Sequence, residues 1–419
     1  MSRAILPTDW KFCPLNDICE FSQYGINSSS GVGRSYPMLR MNNLQMGKID
    51  TNDLVYIDLS DEEFKKFALK LGDLLVNRTN SYDLVGKTAL FEIEDEYVFA
   101  SYLVRFRLDA NKAFPQFINY YFNSYPAKRR LQAIATKGVS QANINPTVLK
   151  GRFFVPLPPL PEQRRIAEIL SAWDQAITLT ERLIDSKQRR KKALMQQLLT
   201  GQRRFQEFVR SEDIKLTKFG NIPVEWDVKP LGSLAKPITR IEPVLANKDY
   251  RLIGVRWYIE GAHIHSVLPG SQIMTASLSR IEEGDIVYNK MWASKAAFAI
   301  AKTQHQDAYG TMEYPQFRAK PDKLSINFLE YVYHLPRFLH DAKGLCRGTT
   351  GRARLNPGDF LKIEIPLPSL PEQSKIAAVL QACDEEIEML EQKLAALKRQ
   401  KKGLMQQLLT GRVRVKDEG

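Results

Sequence analysis

The 419-residue chain is long enough for two domains of ordinary size, and its 44% hydrophobic and 26% charged residues exclude a disordered or fibrous protein. No stretch approaches roughly 18 uninterrupted apolar residues, and the opening MSRAILPTDWKF has no apolar core, so neither a membrane span nor a signal peptide is expected. A formal charge of +13 favours a polyanionic partner, because clustered Lys and Arg release counterions from phosphates. Cys13, Cys19, Cys346 and Cys383 have neither CxxC nor metal-ligand spacing and read as structural thiols of a reducing cytoplasm.

In chain order, Gly72-Asp introduces a short strand at Leu74–Val76, and Val104–Leu108 alternates like a half-buried strand. An apolar helix is expected over Gln116–Asn123. Pro156–Gly201 then reads PLPPLPEQ…LMQQLLTG and returns 210 residues later as Pro366–Gly411, identical at 25 of 46 positions. So long a period excludes a solenoid, whose units run roughly 20–50 residues, and indicates a duplicated half-protein.

Each repeat predicts a helix of about 40 residues, roughly 60 Å long, entered through proline and left at Gly201 or Gly411 in a left-handed C′ conformation. Glu162 and Glu372 place negative charge at the positive end of each helix dipole. Ile376, Leu380, Cys383, Ile387, Leu390, Leu394, Leu397, Leu404 and Leu408 alternate by four and three, with Lys401 the polar entry. The first copy follows the same grid through Ile166, Leu170, Trp173, Ile177, Ile184, Leu194 and Leu198, broken by Thr180, Lys187 and Lys191. That seam predicts a coiled coil, and the intervening domain permits an antiparallel pair. The basic runs Lys187–Lys192 and Lys398–Lys402 are either a solvated face or a contact with phosphate or a partner subunit.

The second globular segment repeats the first faintly: Gly284-Asp-Ile-Val-Tyr-Asn-Lys290 follows Gly72-Asp-Leu-Leu-Val-Asn-Arg78, and a helix is expected over Asn327–Leu335. The expected class is therefore α+β: two similar mixed α/β domains separated by two long helices that form an antiparallel coiled coil, with a pseudo-two-fold internal repeat. The boundaries fall at 1–155, 156–205, 206–365 and 366–419.

Side chains suited to base edges follow each Gly-Asp strand: Asn77, Arg78, Thr79, Asn80 and Ser81, matched by Asn289, Lys290, Met291, Trp292 and Ser294. A second cluster precedes each long helix: Lys137, Ser140, Gln141 and Asn143, against Arg347, Thr349, Thr350, Arg352 and Arg354. Arg and Lys can read guanine, Asn can read adenine, and Ser or Thr can meet phosphate. Matched positions in both halves of a basic chain favour nucleic-acid contact over a pair of polar turns.

Catalytic motifs are not found. Val85-Gly86-Lys87-Thr88 has Ser81 where a phosphate-binding loop needs glycine, and Ala89 onward reads as a strand. Gly31-Val-Gly33 lacks a third glycine, and His263 with His265 lacks further ligands, so no cofactor or metal is expected in this chain.

These features closely resemble the specificity subunit of type I restriction–modification systems, over essentially the whole length. The carrying residues are the two PLPxLPEQ…LMQQLLTG blocks and Gly72–Lys87, GDLLVNRTNSYDLVGK. The resemblance implies two target-recognition domains, each reading half of a split sequence in double-stranded DNA, with the helices as a ruler. It further implies two modification subunits that methylate adenine with S-adenosylmethionine, and restriction subunits that cleave with ATP and Mg2+. The competing reading is a non-catalytic coiled-coil adaptor with two protein-binding domains, which would expose apolar anchors where these loops are polar and basic.

Overall fold

The computed structural model describes residues 6–27, 31–139, 141–348 and 353–415. Two compact units emerge: 1–181 together with 392–419, and 182–391. The first long helix, Leu160–Leu199, gives its opening half to the first unit and its closing half to the second. The second long helix, Leu370–Leu408, does the reverse. Each unit is therefore a globular body seated on one half of each helix.

In the first unit an antiparallel sheet runs in the order Cys19–Tyr24, Leu103–Leu108, Leu74–Asn77, Thr88–Leu90. Gly72, at φ 88°, makes the turn that the Gly-Asp pair announces. Arg105 does not face water as strand alternation suggests. The Cys19–Tyr24 and Leu74–Asn77 strands flank it, and it is 4% exposed, bonded to the Ala68 carbonyl and ion-paired with Asp73 at 3.4 Å. Arg107 binds the same carboxylate at 2.7 Å. Phe117 and Ile118 of the helix Pro115–Phe122 join Val104, Phe106, Ile166, Leu170 and Leu408 in one core.

The second unit repeats the plan. Its sheet runs Ala235–Ile238, Gln316–Ala319, Ile286–Tyr288, Phe298–Ile300, and Gly284 turns at φ 81°. Asp285, fully buried, takes Arg240 and Arg318, each at 2.7 Å. A second, five-stranded sheet includes the paired strands Asp249–Val255 and Ala262–Pro269.

The helices pair antiparallel within each unit, and lysines of the two basic runs reach carboxylates on the opposing helix. In the first unit Lys401 meets Asp174 at 2.6 Å and Lys398 meets Glu181 at 2.7 Å. In the second, Lys191 meets Asp384 and Lys187 meets Glu386. These members of the basic runs thus spend their charge on the opposing helix. Gly201 and Gly411 turn at φ 71° and 70°, as the C′ position requires.

Glu162 and Glu372 do more than favour a dipole. Both are buried: Glu162 accepts the Trp10 indole N–H at 3.0 Å and Glu372 that of Trp226 at 3.1 Å. Arg414 then grips Glu162 and Asp9, while Arg204 grips Glu372 and Glu225. One latch is thus built twice. Among the described residues no helix is long and apolar enough to cross a membrane.

Candidate nucleic-acid interface

In the first unit the two sequence-predicted clusters come together. Thr79–Asn80 pairs antiparallel with Ala142–Asn143, which pairs with Thr136–Lys137. Ile144 donates its N–H to the Arg78 carbonyl at 2.8 Å, fastening the segments side by side.

Their side chains take different parts. Asn77 is fully buried; its Oδ1 accepts the Thr79 N–H at 3.2 Å and shapes the turn. Arg78 is held on three sides: Nε donates to the Ser101 carbonyl at 3.2 Å, Nη1 donates to Asn143 Oδ1 at 3.4 Å, and its guanidinium lies 4.9 Å over the Tyr24 ring. Asn143 also donates to Thr79 Oγ1 at 3.1 Å. Asn80 Oδ1 accepts the Ser81 N–H, Ser81 and Gln141 are exposed, and the exposed Lys137 rests 3.9 Å over Tyr82. Ser140 lies outside the described residues. Tyr24 and Tyr102, each about half exposed, complete a polar and aromatic surface with one fixed guanidinium at its centre. Neither tyrosine stood out in the sequence: Tyr24 ends a strand and Tyr102 sits in the turn just before one.

The second unit keeps one of these backbone links but replaces the strand pairing by a single bridge, and carries other side chains. Leu355 donates to the Lys290 carbonyl at 3.1 Å, and Arg347 and Arg354 form a reciprocal bridge at 2.9 Å. Asn289 is buried, and its Oδ1 accepts the N–H groups of Met291 and Trp292. Lys290 stands 4.0 Å from Glu313, which Arg354 approaches at 3.4 Å. Arg347 pairs with Asp359 at 3.2 Å. A hydrogen bond from Lys362, together with the nearby Arg347 charge, holds the Asp359 carboxyl below its usual range. Glu313, on a loop with no motif, is the residue that reading the sequence missed. Thr349, Thr350 and Arg352 lie outside the described residues.

Beside this site stands an aromatic turn. Trp257 packs on Trp292 with centroids 4.8 Å apart. Tyr258 and Ile259 both have positive φ, at 57° and 61°, and the Glu260 N–H closes onto the Trp257 carbonyl at 3.2 Å. This is type I′ geometry, which Asn-Gly fills at little cost. A Tyr-Ile pair carries about 1–2 kcal/mol of strain per residue instead. Ile259, partly buried, packs against the main core of the unit, whereas Tyr258 is 65% exposed.

A family model described as the type I restriction modification DNA specificity domain matches residues 7–186 and again 223–399. A putative type I restriction enzyme MjaX specificity subunit of Methanocaldococcus jannaschii is 30% identical over 416 residues, 98% of this chain and 95% of that protein. The type I restriction enzyme EcoKI specificity subunit of Escherichia coli K12 is 30% identical over 142 residues, 33% of this chain and 30% of that one. Among solved structures, the HsdS subunit from Thermoanaerobacter tengcongensis superposes with TM-score 0.54 at 18% identity, covering 98% of this chain and 99% of that one. The S subunit from M. genitalium gives 0.57 at 15% identity, covering 97% of each. Both are likenesses of fold.

Proposed function

This chain belongs to the type I restriction–modification DNA specificity family, and from that membership we propose that each of its two units reads one half of a bipartite duplex target. The supporting observation is the pair of matched bonds, Ile144 to Arg78 and Leu355 to Lys290, which sets the same two segments side by side in both units. Frame residues repeat while reading residues differ: Arg78 and Asn143 in one, Lys290, Glu313 and Arg354 in the other. Two such surfaces suit two different sequences.

In this reading Arg78 contributes a guanidinium already oriented, so little freedom is lost on meeting a guanine edge. Lys137 supplies phosphate affinity. Glu313 accepts from an exocyclic amino group when Lys290 or Arg354 turns to the DNA. The duplicated helix ends carrying Met195-Gln196-Gln197 and Met405-Gln406-Gln407 serve as equivalent docking sites for two modification subunits, with restriction subunits joining the assembly. The chain itself is non-catalytic. Adenine methylation with S-adenosylmethionine, and cleavage with ATP and Mg2+, belong to those partners, in the cytoplasm.

The test is methylome sequencing of a cell carrying this chain with its modification subunits. A split motif methylated on adenine is expected, and Arg78→Ala should relax one half only. A continuous motif, or an assembled complex with no sequence preference, overturns the reading.

A further inference from the structure

Burial does not account for the strained turn at Tyr258, whose exposed ring meets the Trp257 ring edge-on at 6.4 Å. Ile259 is partly buried against the core and donates its N–H to the Ala296 carbonyl at 2.9 Å, which together hold its positive φ. Tyr258 gains no such burial, yet an exposed ring sits where Asn or Gly would cost less. Backbone outliers of this kind persist where the surroundings over-determine them, and they gather at functional sites.

Its neighbours point to the ligand. Arg256 and Lys295, both exposed, make no ion pair among the described residues. Arg256 precedes the aromatic pair directly. Lys295 ends the short turn that begins at Trp292, and the Ala296 carbonyl accepts the Ile259 N–H at 2.9 Å. Through Trp257 on Trp292 the turn joins the Asn289–Trp292 segment without a break. Glu260 is the one carboxylate on the turn itself. Exposed rings beside free cations, continuous with a base-reading segment, match a polyanion whose interior is a stack of flat rings.

We propose that the Trp257–Tyr258 turn is a DNA contact in which the Tyr258 ring stacks against a base of the half-site read by the second unit, with Trp257 and Trp292 as its backing and Arg256 and Lys295 on the flanking phosphates. The idea rests on the proposed function above and adds a local unstacking to it. Aromatic or apolar side chains that enter a base step are compensated by the contacts a deformed duplex allows.

The experiment uses the complex with its modification subunits and duplexes carrying the target found by methylome sequencing. 2-Aminopurine is placed at each position of the second half-site in turn. Wild type and Tyr258→Phe should raise its fluorescence at one step. Tyr258→Gly should abolish that rise and weaken binding roughly five- to hundredfold, the range of one base–aromatic stack. Discrimination at the first half-site should stay unchanged. Glycine takes positive φ freely, so Tyr258→Gly should unfold no earlier than wild type, which separates lost contact from lost fold.

Unchanged affinity and fluorescence in Tyr258→Gly overturn the stacking contact. Should Lys290→Ala still lose second-half discrimination in that case, the reading of DNA by this unit stands without it. Loss of modification-subunit assembly in Tyr258→Gly, with DNA affinity intact, assigns the turn to a protein and also overturns the proposal. A wild-type complex that binds no duplex removes the proposed function itself.

Discussion

Lys401 Nζ stands 2.6 Å from Asp174 Oδ1, although 227 residues separate them in the chain. The same carboxylate accepts the Tyr120 hydroxyl through Oδ2 at 2.8 Å, and Lys401 also lies 5.3 Å over that tyrosine ring. Lys191, Asp384 and Tyr331 repeat the triad, Tyr331 donating at 2.8 Å and Lys191 lying 5.6 Å over its ring. Each globular body is thus tied to both helices through one aspartate.

These triads make a prediction at alkaline pH. Burial, followed by the hydrogen bond to the aspartate, raises both phenols above their ordinary value of 10. A pKa raised on folding gives stability that is whole below the unfolded value and is lost as pH rises beyond it. Unfolding in denaturant should therefore become easier from about pH 10 upward. Tyr120→Phe and Tyr331→Phe should each cost about 1–2 kcal/mol at neutral pH and flatten that alkaline loss.

The arginine latches differ in exposure, and their variants should differ in cost. Arg204 is 8% exposed over Glu372 at 1%, whereas Arg414 is 36% exposed over Glu162 at 6%. Arg204→Ala strands a buried carboxylate and should cost about 3 kcal/mol or more. Arg414→Ala should cost about 2 kcal/mol, water reaching part of the gap. Hydrogen exchange resolves the two: the first variant should loosen the second unit, and the second variant the first.

Asp73 and Asp285 are expected to behave as frame. Asp73→Ala leaves Arg105 buried without its partner and should destabilise by about 3–5 kcal/mol, read as earlier denaturant unfolding. Any loss of DNA binding should follow that unfolding, whereas Arg78→Ala should lose discrimination with the denaturation midpoint unchanged. An unfolded Arg78→Ala protein would place Arg78 in the frame as well.

Cysteine chemistry offers a check on the first unit. Burial pushes the Cys19 thiol up to about 11, leaving little thiolate at pH 8. Alkylation of native protein should spare Cys19 at pH 8 and reach it only above about pH 10 or after denaturation. Rapid labelling at pH 8 would contradict the packing around it.

The helices were legible because their signals are local: a four-three grid, proline entry and glycine exit. The Gly-Asp turns and matched polar segments were legible because the duplication showed each of them twice. What the sequence hid lies in pairings across long separations. Arg105 read as a solvent residue because alternation does not reveal that the Lys66 and Ala68 carbonyls and the Phe21 and Phe99 rings cover that face of the sheet. Lys191 and Lys401 read as breaks in the seam because their aspartates stand on the other helix. Glu313 and the Tyr258 turn carry no motif, and only the folded backbone brings them beside Lys290 and Trp292.

The latch through Arg414 also sets an order of manufacture. The second unit is one continuous stretch, 182–391, and holds all of its helix and latch partners once that stretch has left the ribosome. The first unit is begun earlier but waits for 392–415 before Asp174 meets Lys401 and Glu162 meets Arg414. The half translated first is finished last, and until 392–415 emerges its share of the helix seam stands open to whatever chaperone or partner reaches it first.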